Sequence, residues 1–551
     1  MSSALSKKPV QNYDVAIIGC GPTGLTAASL LGQAGHKVVV IERWPEPYGL
    51  PRLSHIDGET ARLVQSAGDI THALKDASAL EQYFFYDDKG DVLIDMDWRG
   101  DNSGFPAHIA IFQPEVEEAM YLRAQACQNV TFLRGWEVNE IIQNDQNVTV
   151  TAVVAHGKWQ DKAPESLESC RFEVAYVIGA DGASSFTRRS LGIERFSYGK
   201  HERWLNLDSE YVRDLGERFT KGAIYCDPAR AHMFIPVGKS RVRFEVRLLP
   251  HEKTADWEDI KNGLAWLKHQ HNLTLEDVKP IRCVVYTFDP AIAQSWKQGR
   301  VMLAGDAAHT MMPYMGQGAC SGIRDGTNLA WKLNLILAGK ADPALLESYE
   351  VERRPHVTVI TETSNMLGAV ANEDDLEKVA VRNAMFRAGN VPPPPPFPRV
   401  EEGVVHKEAN GGLHPATGAP TPQGRVSWRG QVGRMDDVVG GGFLIVSLVD
   451  PVPALDQPTK DFLNELGCRF IVVSEAQMDQ ADIMQDLDGY QVRYLRENHF
   501  AAYLRRPDFL LFGGVQNVSA LPALIAELRQ KLCWISPASA IIDENPGARV
   551  A

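Results

Sequence analysis

Residues Asp14 to Arg43, DVAIIGCGPTGLTAASLLGQAGHKVVVIER, constrain the fold of this chain more than any other stretch. Val15, Ile17 and Ile18 form the short apolar run that a buried parallel strand requires. Gly19, Gly21 and Gly24 then supply Gly-x-Gly-x-x-Gly. The first glycine permits a tight turn, the second lets the backbone touch a pyrophosphate, and the third brings the next helix close to the sheet. That helix is expected over roughly Thr23 to Ala34, with its N-terminal amides aimed at the phosphates. Gly35 ends it, Val38 to Ile41 make the next strand, and Glu42 stands where a carboxylate accepts hydrogen bonds from a ribose diol.

Because strand, glycines, helix, second strand and terminal acid all occur in order, a dinucleotide is the expected ligand. A position near the N-terminus points to FAD, although the unit by itself does not separate FAD from NAD. The length of 551 residues allows two or three domains. A hydrophobic fraction of 44% and a mean hydropathy of −0.21 fit a soluble globular protein. The formal charge of −14 argues against nucleic acid and anionic membranes, which it would repel. Eight scattered cysteines, with no Cys-x-x-Cys and no zinc-like Cys/His spacing, suit a reducing compartment, so a cytoplasmic location and no metal are expected. Residues 1 to 13 lack the apolar core of a signal peptide. The apolar stretch Val15 to Leu31 is interrupted by glycines and Pro22, which fits the nucleotide unit and not a membrane span.

Further along, a helix is expected over Gly58 to Ala67, then a meander with turns at Asp87–Gly90 and Arg99–Gly104. Gln113-Pro114 opens a helix reaching about Ala126. Thr131 to Val138 reads as a strand, a hairpin follows near Asn144–Val154, and Val174 to Ile178 is a buried strand ending in Gly179-Ala-Asp181-Gly182. From Arg203 to about Tyr286 the pattern is β-rich, with strands at 223–227, 232–236, 241–248 and 282–288. A further apolar strand, Arg300 to Ala304, precedes Gly305-Asp306-Ala-Ala-His309. Helices are expected from roughly Ser321 to Leu337 and Pro343 to Asn365. Pro392 to Pro396 reads as a stiff linker or domain strap, with a ligand for a proline-binding domain as the other reading. Strands near 442–448, 469–474 and 508–512 and a helix over 520–532 describe a small C-terminal α/β domain, thioredoxin-like but without a redox cysteine pair. The expected division is 1–200 and 291–390 for the FAD-binding part, 201–290 for an inserted β-rich substrate domain, and 391–551 for the linker and C-terminal domain.

Three segments, Gly19–Gly24, Gly179–Gly182 and Gly305–Asp306, each end a buried strand in a glycine-acid constellation. In a parallel sheet such ends converge on one crevice and can share a ligand. Together with Asp181-Gly-Ala-Ser-Ser and Arg188, Gly316-Gln317-Gly318, Asp325-Gly-Thr-Asn328-Leu-Ala-Trp-Lys332, Pro51-Arg52, Ile56-Asp57, Phe112-Gln113-Pro114-Glu115, Tyr225-Cys-Asp-Pro228 and Tyr349 to His356, the chain resembles the single-component FAD-dependent aromatic hydroxylases of the p-hydroxybenzoate hydroxylase class. Within that class it is most similar to the 3-(3-hydroxyphenyl)propionate hydroxylase group.

That resemblance implies an α/β fold: an FAD-binding Rossmann-like domain, an inserted β-rich substrate domain and a thioredoxin-like C-terminal domain. It also implies a monooxygenase that uses NADH or NADPH and O2 to hydroxylate a phenolic ring, ortho to an existing hydroxyl, through a flavin C4a-hydroperoxide. Gly19, Gly21, Gly24, Glu42 and Arg43 would hold the ADP half of FAD, with Arg52 counted among the cofactor residues. Gln113 would reach the ribityl or pyrophosphate region, Val138 would lie by the adenine through its backbone, and Asp306 would bind the ribityl or pyrophosphate end. The helix opened by Gly316 and Gly318 would face the flavin pyrimidine, and Asp181 with Arg188 would serve both FAD and the nicotinamide cofactor. The catalytic or substrate-pocket candidates are Tyr225, Arg243, Pro313 and Tyr314, with His232 and Phe234 beside them. Arg243, if inward, would pair with a substrate carboxylate; otherwise it is a solvated strand arginine. Met312 stands where the class often has proline, and Cys320 where asparagine is frequent. The partners expected are a small aromatic substrate and O2, with no nucleic acid and no membrane span, and a homodimer is compatible with the C-terminal domain. Two other readings are a flavin halogenase, whose Trp-x-Trp-x-Ile-Pro signature is absent, and a non-catalytic or regulatory FAD-binding protein of the same fold.

Overall fold

Five strands run parallel and end along one edge in the computed structural model, which describes residues 11–155, 168–393, 395–476 and 482–535. Gln11–Ile18 lies between Val38–Glu42 and Ser169–Gly179, with Val130–Arg134 beyond Val38–Glu42. The strand Ser169–Gly179 changes partner along its length: its first half pairs antiparallel with Val148–Val154, and its last residues pair parallel with Val301–Leu303. The register Ile18↔Gly179 and Gly179↔Leu303 therefore brings the three glycine-acid segments to a common edge. Valine and isoleucine fill the centre of this sheet because it is buried on both faces: Val15, Ala16, Ile17, Val38, Val39 and Val40 are fully buried.

The expected first helix occupies Pro22–Gln33. Gly19 turns the chain at φ 104°, and its amide donates to the Ile41 carbonyl at 2.9 Å. The expected strand 131–138 is two strands, Val130–Arg134 and Trp136–Gln143, broken at Gly135 with φ 76°. The long helix Gly318–Leu337 crosses Pro22–Gln33 closely at its N-terminal part, because a Cβ on Gly322 or Gly326 would collide with Thr23. This contact carries the start of the long helix to the same edge as the strand ends.

A second, seven-stranded sheet is ordered Val278–Phe288, Glu202–Tyr211, Arg241–Arg247, His232–Val237, Gly222–Tyr225, Gln82–Tyr86 and Val92–Asp97. It draws on more than the middle block of sequence, since its last two strands come from the earlier meander and join through the parallel pair Gly222↔Tyr83 to Tyr225↔Tyr86. Glu202–Tyr211 escapes the sequence reading because Asn206 and Asp208 interrupt its apolar pattern; both are buried, on one face of the strand. One face of the sheet packs under the helix Ile260–His271 through Phe219, Phe234, Phe244 and Leu267. The opposite face presents Tyr83, Phe85, Ile224 and Ile235, against which Tyr314 and Ala371 pack.

Two compact units divide the chain: residues up to Gly326 with Val357–Phe397, and Thr327–His356 with Pro398 onward. The second unit has a seven-stranded sheet in which Leu444–Ser447, Arg469–Ser474 and Ile483–Asp486 run parallel. Ala502–Arg505 and Leu511–Val515 continue it antiparallel. Helices cover both faces, Gln457–Leu466 and Leu521–Lys531 on one and Met435–Val439 and Tyr490–Glu497 on the other. This is the thioredoxin-like arrangement, and Cys468 and Cys533 are free. Lys332, Glu352, Arg506 and Asp508 form a buried charge cluster within this unit, with Lys332 Nζ 3.1 Å and Arg506 NH2 2.7 Å from Glu352. Among the described residues no helix is long and apolar enough to cross a membrane, and no His/Cys/Asp/Glu group is arranged to hold a metal ion.

Candidate functional site

The shared edge is built from turns whose backbones are held by carboxylates. Glu42 accepts from the Cys20 amide at 2.8 Å and the Trp44 amide at 2.9 Å, so it fixes the glycine turn from the neighbouring strand. A Cβ added to Gly24 would collide with the Gly19 carbonyl, whereas one added to Gly21 would meet no atom within 4 Å. The turn is thus closed on its protein side and open at Gly21, which is the shape a pyrophosphate needs. Pro22 opens the helix. Arg43 lies over the Trp44 ring, 4.8 Å from its centroid, and Val138 is buried beside the same sheet, at a bulge.

Asp181 uses its carboxylate on the chain that follows: it accepts from Ser185 Oγ at 2.5 Å and from the amide and hydroxyl of Thr187 at 2.9 and 3.0 Å. Arg188, buried, donates to the carbonyls of Ala183 and Ala307, tying the Asp181 turn to the Gly305 turn. Asp325 accepts from the Gly305 amide at 3.0 Å and from His309 Nε2 at 2.7 Å in a fully buried pair, which makes His309 a structural residue. Asp306, by contrast, is exposed at the end of its strand. Desolvation by the surrounding protein raises its pKa, with His309 and Arg52 opposing. Gln113 is buried; its Oε1 accepts from the amides of Arg52 and Leu53, and its Nε2 donates to Glu117. Its amide thus holds the 52–53 loop, and Arg52 stacks on Tyr48 at 4.2 Å.

At the start of the long helix, the short turn Pro313–Met315 is closed by Gly316 at φ 62°. Asp57, Glu59, Gln317 and Arg324 form a buried network beneath this turn. Arg324 reaches Asp57 at 2.6 Å, Glu59 at 2.9 Å and Gln317 Oε1 at 2.9 Å, while Gln317 Nε2 donates to Asp57 at 2.8 Å. Burial by itself would raise the Asp57 pKa, but Arg324 and donors from Thr60 and Gln317 hold it well below the usual carboxylate range. Cys320 is buried, its Sγ 3.5 Å from the Gly316 carbonyl, and Met312 is buried with its carbonyl accepting from Ser364.

The second sheet corrects two of the sequence expectations. Tyr225 does not face Tyr314: strand alternation turns it to the opposite side, where it stacks on His232 at 4.5 Å and Tyr86 at 5.0 Å and its hydroxyl accepts from Arg218. Phe234 lies on that same far face. Arg243 does face inward, but four of its five donors are committed to the protein. It reaches Asp208 at 2.7 and 3.3 Å, the Arg52 carbonyl at 2.7 Å and the Pro51 carbonyl at 2.8 Å. Arg243 therefore anchors the Pro51–Arg52 loop, with four hydrogen bonds committed to protein acceptors. Tyr314 does lie by the inner face, next in the turn to Pro313; the Tyr314 hydroxyl donates to Glu202 at 2.8 Å, and burial pushes its pKa far up.

Several residues of this face were not singled out from the sequence. Arg282 binds Asp208 and donates to the hydroxyls of Tyr286 and Tyr48 at 2.8 and 3.3 Å. Glu245 is buried 3.8 Å from Arg243, and burial raises its pKa to about 7, with Arg243 opposing. His55 and His108 are 3.0 Å apart, and Trp98 lies between His108 and Tyr83 in a stacked row. The available signal was chemical, since charged residues recur at alternate positions in Arg241-Val-Arg243-Phe-Glu245, which no two-sided apolar strand would carry.

The comparisons with known proteins agree with this geometry. An FAD binding domain family matches residues 12–364, and an HcaD C-terminal domain family matches residues 418–531. The chain belongs to the FAD-binding aromatic hydroxylases. It is 33% identical over 521 residues to a probable NADH-specific resorcinol 4-hydroxylase of Rhodococcus jostii, covering 94% of each chain. It is 30% identical over 590 residues to a 3-(3-hydroxy-phenyl)propionate/3-hydroxycinnamic acid hydroxylase of Comamonas testosteroni, covering 94% of this chain and 96% of that one. Among solved structures the hydroxylase fold is shared with the flavin-dependent monooxygenase PieE, at a TM-score of 0.78 and 19% identity over 95% of this chain and all of that chain. Aklavinone-11 hydroxylase shares it at a TM-score of 0.74 and 21% identity, over 95% and 100% of the two chains.

Proposed function

We propose that the enzyme hydroxylates an uncharged phenol, ortho to an existing hydroxyl, with FAD as cofactor, NADH as the electron donor and O2 as co-substrate. When bound, FAD supplies the redox chemistry, accepting a hydride and transferring one oxygen atom to the ring. The residues present fit that cofactor: of the three turn glycines only Gly21 is open, and Asp306 has an exposed carboxylate at the same edge of the sheet.

In this reading Gly19, Gly21, Gly24 and the helix amides of Pro22–Gln33 receive the pyrophosphate, and Glu42 accepts from the ribose hydroxyls with its remaining lone pairs. Arg43 and the Val138 backbone flank the adenine, and Asp306 accepts from the ribityl chain. Asp181 and Gln113 serve indirectly, one by capping the Ser185–Thr187 turn and the other by holding the Arg52–Leu53 loop. Gly316 and Gly318 place the amides at the start of the long helix against the flavin pyrimidine, where they stabilise negative charge on the reduced ring. Tyr314 packs against Ile224 and Ile235 to close the pocket, with Pro313 preceding it in the turn, and together they exclude water from the reacting atoms.

The single observation that carries the choice of an uncharged phenol is the pairing of both inward guanidiniums, Arg243 and Arg282, with one buried carboxylate, Asp208. The other hydrogen bonds of both also go to protein acceptors, those of Arg243 to the Pro51 and Arg52 carbonyls and those of Arg282 to the Tyr286 and Tyr48 hydroxyls. The relative named a resorcinol hydroxylase supports both this substrate class and NADH. The test is NADH oxidation by the purified yellow protein with resorcinol and with 3-(3-hydroxyphenyl)propionate. Stimulation by resorcinol and not by the propionate is expected. Stimulation by the propionate alone would overturn the uncharged-phenol reading, and no stimulation by any phenol would overturn the hydroxylase reading.

A further inference from the structure

The pair His55 and His108 stands at the Gly316 turn without a part in cofactor binding or ring contact as described so far. His55 is 3% exposed on the strand His55–Asp57, and His108 is half-buried on the antiparallel strand His108–Ala110. His55 Nε2 lies 3.0 Å from His108 Nδ1, and the rings are near-parallel at 28°. Trp98 stacks on His108 at 4.2 Å and fixes its plane. The other nitrogen of His55 faces the turn: a Cβ placed on Gly316 would lie 2.8 Å from His55 Nδ1, and that nitrogen approaches the Gly316 backbone short of a full hydrogen bond.

The surroundings keep His55 neutral. Asp57, on its own strand, is committed to Arg324 and Gln317. From the long helix it meets Cys320, whose thiol burial pushes up to about 12, near Arg324, itself bound to Asp57 and Glu59. From the facing strand it meets only His108. Burial and then His108 lower the His55 pKa to about 4, and burial lowers that of His108.

Two imidazoles joined in this way have two arrangements. With both neutral and His55 protonated on Nε2, that N–H donates to His108 Nδ1, and His55 Nδ1 is a bare acceptor towards Gly316. When His108 is protonated from solvent, both its nitrogens carry hydrogen. Its Nδ1–H then donates to His55 Nε2, and the single proton of neutral His55 moves to Nδ1, where it faces the Gly316 backbone. One proton is taken up, the positive charge stays on the half-exposed ring, and no charge enters the buried position.

We propose that His55, through this tautomer exchange with His108, is a positioning residue for the Gly316–Gln317–Gly318 turn, so that a proton bound at the surface alters the hydrogen bonding of the turn that faces the flavin. The inference rests on the placement of the flavin pyrimidine at that turn. It predicts that the reduction potential of the bound flavin carries a proton-linked inflection from His108, below the ordinary imidazole pKa of 6.5.

The experiment measures flavin midpoint potentials of the full-length holoenzyme by dye equilibration between about pH 5 and pH 8, for wild type, His108→Phe and His108→Gln. Phenylalanine keeps the stack on Trp98 without ring nitrogens, and glutamine supplies a non-titrating polar group should the first variant fail to hold FAD. The expected result is loss of the inflection in either variant that retains FAD, with a potential that otherwise follows the flavin's own pH slope. In ¹⁵N-histidine spectra the His55 Nδ1 signal should move from bare to protonated type as His108 titrates. Parallel potential curves for wild type and variants, or a His55 tautomer unchanged across the titration, would overturn the proposal. Failure of the wild-type protein to retain FAD would instead overturn the placement on which it rests.

Discussion

Replacing Arg243 with methionine distinguishes an anchoring arginine from a substrate-binding one. In the structure the side chain makes two hydrogen bonds to Asp208 and one each to the carbonyls of Pro51 and Arg52, at 3% exposure. Removing it leaves Asp208 buried with Arg282, takes the nearby cation from Glu245, and frees the buried Pro51 carbonyl and the part-buried Arg52 carbonyl. Breaking a buried ion pair typically costs about 3–5 kcal/mol. Because Arg282 remains on Asp208 at 3.0 Å, the lower end, about 3 kcal/mol, is the expected loss for this site. The assay is urea unfolding followed by tryptophan fluorescence, with binding of resorcinol and of 3-(3-hydroxyphenyl)propionate measured on the folded variant by flavin absorbance. The unfolding midpoint should fall clearly, and affinity for the two ligands should change by the same factor. An unchanged midpoint together with selective loss of the acidic ligand would refute the reasoning and return Arg243 to the substrate.

Gly21→Val should abolish FAD retention while leaving the fold intact, because its side chain would enter space free of protein atoms; circular dichroism and the flavin spectrum of the purified variant check both halves. Glu245→Gln should be more stable than wild type above neutral pH. A carboxyl whose folded pKa is raised from 4.5 to about 7 contributes stability below its unfolded value that is lost as pH rises through that window. Glu352→Ala should cost about 3–5 kcal/mol by leaving Lys332 and Arg506 buried without their shared carboxylate, read as a lowered melting temperature. The full-length protein should show no insulin reductase activity, because Cys468 and Cys533 are unpaired and burial pushes the Cys468 thiol up to about 12.

The cofactor half of the fold was legible because its signals are local. A glycine turn, a helix start and a terminal acid lie within thirty residues, and the observed Pro22–Gln33 and Val38–Glu42 follow them closely. Strand ends also carried the convergence of Asp181 and Asp306 on that edge, since parallel pairing leaves few alternatives. The substrate side was less legible because it depends on which face of a strand a residue takes. Tyr225 and Arg243 both lie in recognisable β segments, yet alternation sends one away from the pocket, and long-range partners take up most donors of the other. Asp57, Arg324 and Gln317 come together across some 260 residues of chain, and nothing local to any of them announces the network. Asp57 was noticed only as part of a matching segment, and the burial that fixes its role is a property of the packed fold.

The most direct test of the account is a single-turnover product analysis: reduced holoenzyme, resorcinol and isotopically heavy O2, with the product identified by mass and by ring proton spectra. One heavy oxygen atom in a trihydroxybenzene, placed ortho to an original hydroxyl, is expected, with one product formed per reduced flavin. Reoxidation of the flavin that yields only hydrogen peroxide, with the ring unchanged for every phenol tried, would contradict the hydroxylase reading.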